Sequence, residues 1–192
     1  MSTGTGDRQA GDRHEKRFHG TAERLSSEDR LALLQVPEVV RLSLEGVLVR
    51  SVLDAGTGTG VFAAAFAAQR LRVTGVDVNE ELLLRARAAV PGAEFLAAAL
   101  ERLPFEDRSF DLVFLGHVLH ETDDPLQALR EARRVAGLRV AVLEWPYRKE
   151  PQGPPLHHRL QPKVVLRLAE EAGFASSERL QLEHMDLYRL AP

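Results

Sequence analysis

The chain has 192 residues, 44% hydrophobic and 28% charged, with a formal net charge of −3. This length suits one domain with a substantial core, and the missing basic excess argues against nucleic acid or an anionic membrane as partner. There are no cysteines, which excludes disulfides, thiolate nucleophiles and thiolate metal sites.

Residues 1–11 are small and polar and predict a flexible tail, followed by charged residues mixed with Phe18 and His19. The N-terminus lacks the apolar core of a signal peptide, and no apolar run could span a membrane, so a cytoplasmic location is expected. Ser26 or Ser27 is a candidate cap ahead of Glu28 and Asp29. Residues 30–44 have near-helical apolar spacing interrupted at Pro37. This predicts two short helices joined near Val36-Pro37. A helical cap over about 18–45 would then belong to a single domain spanning 12–192.

Residues 47–53 predict a first buried strand, 61–69 an alanine-rich helix and 71–76 a second strand. A helix over 79–89 has Asn79 as its candidate cap and Glu80-Glu81 at the positive end of its dipole. Strands are expected at 94–98, 110–115 and 138–143, with a helix from Asp124-Pro125 to about Arg134. Residues 145–161 hold four prolines and the adjacent His157 and His158. They predict a loop with a short element inside it. A helix over 163–172 ends at Gly173, and strands over 174–182 and 185–190 close the chain. The alternation predicts an α/β fold of three layers, with a mostly parallel seven-stranded sheet and an antiparallel C-terminal hairpin strand. Ligands in such sheets bind at the C-terminal ends of the strands.

The chemistry concentrates in two places. The first is Asp54 followed by Gly56-x-Gly58-x-Gly60, with Asp77 ending the second strand. Glycine allows a tight turn and close backbone approach to a ligand. An acid at the end of the second strand commonly holds a ribose hydroxyl. A dinucleotide fingerprint would place its third glycine where this chain has Val61, and there is no Gly-Lys-Ser/Thr phosphate loop. The second place follows strands four and five: His117, His120 and Glu121, then Trp145 and Tyr147. A histidine there can titrate near neutral pH, and the aromatic pair suits one wall of an apolar acceptor pocket. His120 and Glu121 equally suit a role in holding the loop, and Trp145 and Tyr147 a packing role under the proline-rich segment. Adjacent His157 and His158 in an extended stretch diverge and have no acidic or thiolate neighbours, so no metal site is expected.

With LDAGTGTG, VTGVDVNEELLLRARA, ALERLPFEDRSFDLVFLGHVLHETDDPLQALREARRV and PPLHHRLQPKVVLRLAEEAGF in place, residues 18–190 resemble a class I S-adenosylmethionine-dependent methyltransferase. The branch most similar is that of the ubiquinone and menaquinone biosynthesis enzymes. The resemblance implies S-adenosylmethionine as cofactor, S-adenosylhomocysteine as product and a small-molecule acceptor. It implies that Asp54 organises the glycine loop, that Thr57 stands at the cofactor, and that Gly56 and Gly58 admit the methionine portion. Gly60 would turn into the helix, Asp77 accept from both ribose hydroxyls, Val78 and Leu100 flank the adenine, and Gly116 lie beside the methionine end. The acidic residue that relatives carry before Ala-Glu-Leu-Pro-Phe is here Ala99, so one contact to the adenine amino group is missing. His117 becomes the candidate base, with His19, His120, Glu121, Trp145, Tyr147 and His158 as candidate acceptor-pocket residues. The short chain leaves a pocket that is open, narrow or completed by a homodimer. An NAD-dependent oxidoreductase and a catalytically degenerate binding protein are the alternatives.

Overall fold

The computed structural model describes residues 32–150 and 152–192. The tail over 1–11, the Ser26/Ser27 cap, Phe18 and His19 lie outside the described residues.

A helical turn at 32–34 is broken at Gln35, whose φ is 47°, before α1 (Val36–Leu44) begins with Pro37 in its first turn. Proline is tolerated there because the first amides of a helix have no intrahelical acceptor. Then follow β1 (Ser51–Ala55), α2 (Val61–Ala68), β2 (Arg72–Asp77), α3 (Glu80–Ala89), β3 (Glu94–Ala97) and β4 (Phe110–Gly116). The chain closes with α4 (Pro125–Val135), β5 (Ala136–Glu144), α5 (Pro162–Glu171), β6 (Ser176–Gln181) and β7 (Asp186–Ala191). β1 starts later than the apolar run over 47–53 suggested, because Leu48 is exposed and only from Ser51 do residues pair with neighbouring strands. Asn79 caps α3 as expected, its Oδ1 accepting from the amides of Glu81 and Leu82, and Asp124 caps α4 through the amide of Gln127.

The strands form one sheet in the order β3-β2-β1-β4-β5-β7-β6. The first five are parallel, and β7 inserts antiparallel between β5 and β6. Alternate residues of the central strands feed two cores. Leu53, Val113, Leu115, Val140 and Val142 enter one, while Val52, Leu112, Phe114, Ala141 and Leu143 enter the other. That is why these strands read as continuous apolar runs.

After β1 the chain moves to β2 on one side, while β4 lies on the other. Such a switch point leaves a crevice beyond the strand ends. Asp54, Asp77, His117 and Glu144 all stand at this edge.

Candidate functional site

β1 delivers Asp54 fully into the protein, at the root of the glycine loop. Its Oδ2 accepts from the Thr57 hydroxyl at 2.7 Å. Burial pushes the Asp54 carboxyl up to about 7, against the pull of Thr57 and the Ala63 amide and with help from the nearby charge of Asp77. The hydroxyl of Thr57, expected at the cofactor, is thus engaged with Asp54.

The glycine loop is folded back on β2. The amides of Gly56 and Thr57 both donate to the Val76 carbonyl, at 2.8 and 2.9 Å, and that of Gly60 donates to the Thr57 carbonyl at 2.9 Å. The amide of Gly58 donates to Asp77 Oδ2 at 2.9 Å. A phosphate cradle points its amides outward; these four point inward, which disfavours a diphosphate-bearing dinucleotide. Gly56 has φ +77°, and a Cβ there would stand 2.5 Å from Val118 Cγ2. Space over Gly56 is therefore filled by Val118, from the loop after β4. At Gly60 a Cβ would press on α3, 3.2 Å from the Ala86 Cα.

Asp77 is half-buried at the end of β2. Its Oδ1 accepts from the Asn79 amide at 2.9 Å, as Oδ2 does from Gly58. Burial raises its pKa despite these backbone donors. A carboxylate has about four lone-pair sites, so acceptor capacity remains for a diol. Val78 beside it is exposed, an apolar side chain available to a flat ring, whereas Leu100 is buried against Leu103 in the core. Gly116 ends β4, where a Cβ would fall 2.8 Å from the Phe114 ring, so the tilted Phe62–Phe114 pair needs glycine there.

His117 follows with φ 58°, a left-handed conformation uncommon for any residue but glycine. Its amide donates to the Leu143 carbonyl at 2.8 Å, and its buried ring packs on Trp145 with centroids 5.0 Å apart. His120 lies in a 3-10 turn, Leu119–Glu121. Its Nδ1 is 2.8 Å from Glu144 Oε2, and its amide donates to Glu144 Oε1 at 3.1 Å. Glu121 Oε1 stands 3.6 Å from Nε2. Burial alone would lower the His120 pKa, but the Glu144 charge and hydrogen bond, aided by Glu121, raise it. This clamp ties the loop after β4 to the end of β5.

Trp145 is 4% exposed and forms the floor of the proline-rich segment. A Cβ on Gly153 would lie 2.7 Å from its ring, and the Arg159 guanidinium sits 5.4 Å from the ring centroid. Buried Arg159 donates to the carbonyls of Pro146, Arg148, Gln152 and Pro154. His157 and His158 are not in an extended stretch. They lie in a second 3-10 turn, Leu156–His158, with ring centroids 4.3 Å apart. Tyr147, by contrast with Trp145, is exposed. Asp54, the glycine loop, Asp77, His117, His120, Glu121 and Trp145 thus gather along one sheet edge. Glu144, Val118 and Arg159 complete it and were not singled out from the sequence. Among the described residues, no group of three or more His, Asp or Glu side chains is placed to hold a metal ion, and no helix is long and apolar enough to cross a membrane.

Residues 53–137, from β1 to the start of β5, match the family model described as a methyltransferase domain. The solved structure of a SAM-dependent methyltransferase from Aquifex aeolicus superposes with a TM-score of 0.78 at 25% identity, over 88% of this chain and 95% of that one. The chain is thus similar, in fold and over the matched segment, to the class I S-adenosylmethionine-dependent methyltransferase family. Within it, the chain resembles the quinone-biosynthesis branch. Demethylmenaquinone methyltransferase of Chlorobaculum tepidum is 41% identical over 96 residues, 50% of this chain and 40% of that protein. A malonyl-[acyl-carrier protein] O-methyltransferase of Halorhodospira halophila is 38% identical over 150 residues, 72% of this chain and 50% of that protein. The chain thus spans half or less of the length of these curated relatives. The cofactor of the family is S-adenosylmethionine.

Proposed function

We propose that this chain transfers the methyl group of S-adenosylmethionine to a small-molecule acceptor. The observation that carries the reading is a pair of carboxylates, Asp54 and Asp77, at the ends of adjacent strands beside the switch point, served only by hydroxyl and backbone donors. Burial opposes the charge of both acids, and the Asp77 charge adds to that at Asp54, so the pair favours a ligand that brings hydrogen-bond donors over one that brings further negative charge.

The residues present fit the cofactor. Asp77 retains acceptor capacity for the ribose diol, exposed Val78 offers an apolar face to the adenine, and the Asp54-anchored glycine loop receives the methionine end. The bound cofactor supplies an electrophilic methyl on a sulfonium. The chain contributes position: the edge formed by His117, Val118 and Trp145 orients the acceptor and excludes water, and such positioning alone removes much of a barrier. For a hydroxyl or phenol acceptor, His117 takes the proton. His120 and Glu121 hold the loop that carries it. Tyr147 and His158 border the acceptor side.

Calorimetric titration with S-adenosylmethionine and S-adenosylhomocysteine, with NAD as control, tests this reading. Selective binding of the first pair is expected. Binding of NAD alone, or of none of the three by folded protein, would overturn it.

A further inference from the structure

Beyond Trp145 the sheet edge continues into a cleft of about 350 Å³, of whose lining the reading above uses Tyr147 alone. It lies between the end of β5, the start of α5 and the end of β6. Its walls include Pro146, Tyr147, Arg148, Lys163, Arg179 and Gln181, and no acidic residue lines it. Two of the three cations are held by carboxylates that do not line the cleft. Arg179 makes a bidentate pair with buried Asp186, with contacts of 2.9 to 3.0 Å, and Arg148 Nε pairs with Glu150 at 2.6 Å. Setting those two acids against Arg148, Lys163 and Arg179 leaves one net positive charge at the cleft.

The backbone adds to it. α5 starts at this wall with Pro162, has no acidic residue in its first turn, and receives no side-chain cap from Gln161. The helix itself therefore supplies no side chain that compensates the positive end of its dipole. Guanidinium forks held in place by carboxylates keep further N–H donors for a second anion. A tyrosine hydroxyl and the Gln181 amide supply neutral partners.

We infer that this cleft holds an anionic group, carboxylate or phosphate, borne by the methyl acceptor. The inference rests on the methyl-transfer reading and names its substrate class. Strands lie about 4.8 Å apart, and β4, β5, β7 and β6 follow β1 in order. The cleft is thus roughly 10–20 Å from the glycine loop, two to four strand spacings. The acceptor is accordingly elongated, with its negative group far from the atom that receives the methyl.

The protein's one tryptophan, Trp145, lies directly before Pro146 and Tyr147 in the chain. Its fluorescence is the readout. The full chain is titrated with inorganic phosphate and with glutarate, holding ionic strength constant with sodium chloride. A saturable response is expected, weakened at least tenfold in Lys163→Glu and less in Lys163→Gln. A preference for phosphate identifies a phosphorylated acceptor, and a preference for glutarate a carboxylic acid. No saturable response to either anion, or equal midpoints in wild type and both variants, overturns the inference. Calorimetry with S-adenosylhomocysteine on the same samples separates the two readings. The Lys163 variants keep wild-type affinity for it, and a wild type that binds anions but not S-adenosylhomocysteine refutes the cofactor assignment alone.

Discussion

Replacing Asp54 by Asn separates the demands of binding from those of folding. In the folded chain burial lifts this carboxyl from its ordinary 3.8 to about 7. Folding then opposes ionisation between those two values, and above pH 7 the full penalty applies. About three pKa units correspond to roughly 4 kcal/mol at pH 8, and to well under 1 kcal/mol near pH 4. Asparagine has the same shape and its oxygen still accepts from Thr57, but its amide cannot accept from Ala63. That loss returns about 1 kcal/mol. Asp54→Asn should therefore be about 3 kcal/mol more stable than wild type at pH 8 and close to it at pH 4. With a urea m-value of about 2–3 kcal/mol/M, the midpoint rises by roughly 1–1.5 M. Urea unfolding followed by far-UV circular dichroism at pH 4.5, 6 and 8 gives the comparison. Parallel pH profiles for the two proteins would refute the argument, because the penalty must appear in wild type alone. The same variant should lose affinity for S-adenosylmethionine, trading binding for stability.

Asp77→Ala is expected to weaken S-adenosylhomocysteine binding by about 1–3 kcal/mol through lost charged hydrogen bonds; unchanged calorimetric affinity would remove Asp77 from the site. Glu144→Gln should drop the His120 pKa below the ordinary histidine range, since burial then acts with less opposition, and histidine-ring NMR would follow it. His120 has a raised folded pKa, so its stabilising contribution is complete below about 6.5 and is lost as pH rises through the folded value. The variant should accordingly lose more stability at pH 6 than at pH 9, by about 2–4 kcal/mol at the acid end; an equal loss at both would count against the clamp. Arg159→Lys forfeits most of four carbonyl contacts and should cost about 2–3 kcal/mol, with a red shift of the Trp145 emission; an unshifted spectrum would contradict the packing described. His117→Ala should keep S-adenosylhomocysteine affinity while lowering turnover on an acceptor found by screening quinols and carboxylic acids; undiminished turnover would exclude it as the base.

The fold was legible where the signal is local. The apolar runs of β1, β2, β4 and β5, the Asn79 and Asp124 caps and the break before Pro37 are each set by a few adjacent residues. The start of β1 was misjudged because Val47, Leu48 and Val49 have strand-forming side chains but no strand beside them; pairing decides, and pairing is non-local. Of the site, Asp54, Gly56, Gly58, Gly60 and Asp77 announce themselves because glycine spacing and a strand-end acid fall within one stretch of chain. Glu144 and Arg159 were invisible for the opposite reason. Glu144 is recognised by His120, 24 residues earlier, and Arg159 by carbonyls 5 to 13 residues before it. No composition or period marks either contact.

What the structure adds is a way to sort the acids of the sheet edge. Asp54, Asp77, Glu144 and Asp186 all stand there, and charge alone does not distinguish them. Glu144 is matched by His120 and Asp186 by Arg179. Removing either partner would leave a buried charge uncompensated, so these two acids belong to the architecture. Asp54 and Asp77 have only neutral donors, and both have their pKa raised chiefly by burial. A folded protein that keeps two such groups adjacent carries an electrostatic cost that folding itself does not relieve. A ligand that brings hydrogen-bond donors to Asp77, as the ribose of S-adenosylmethionine or S-adenosylhomocysteine does, relieves part of it. The same electrostatics that destabilise this edge in isolation therefore disfavour the added negative charge of a dinucleotide's diphosphate.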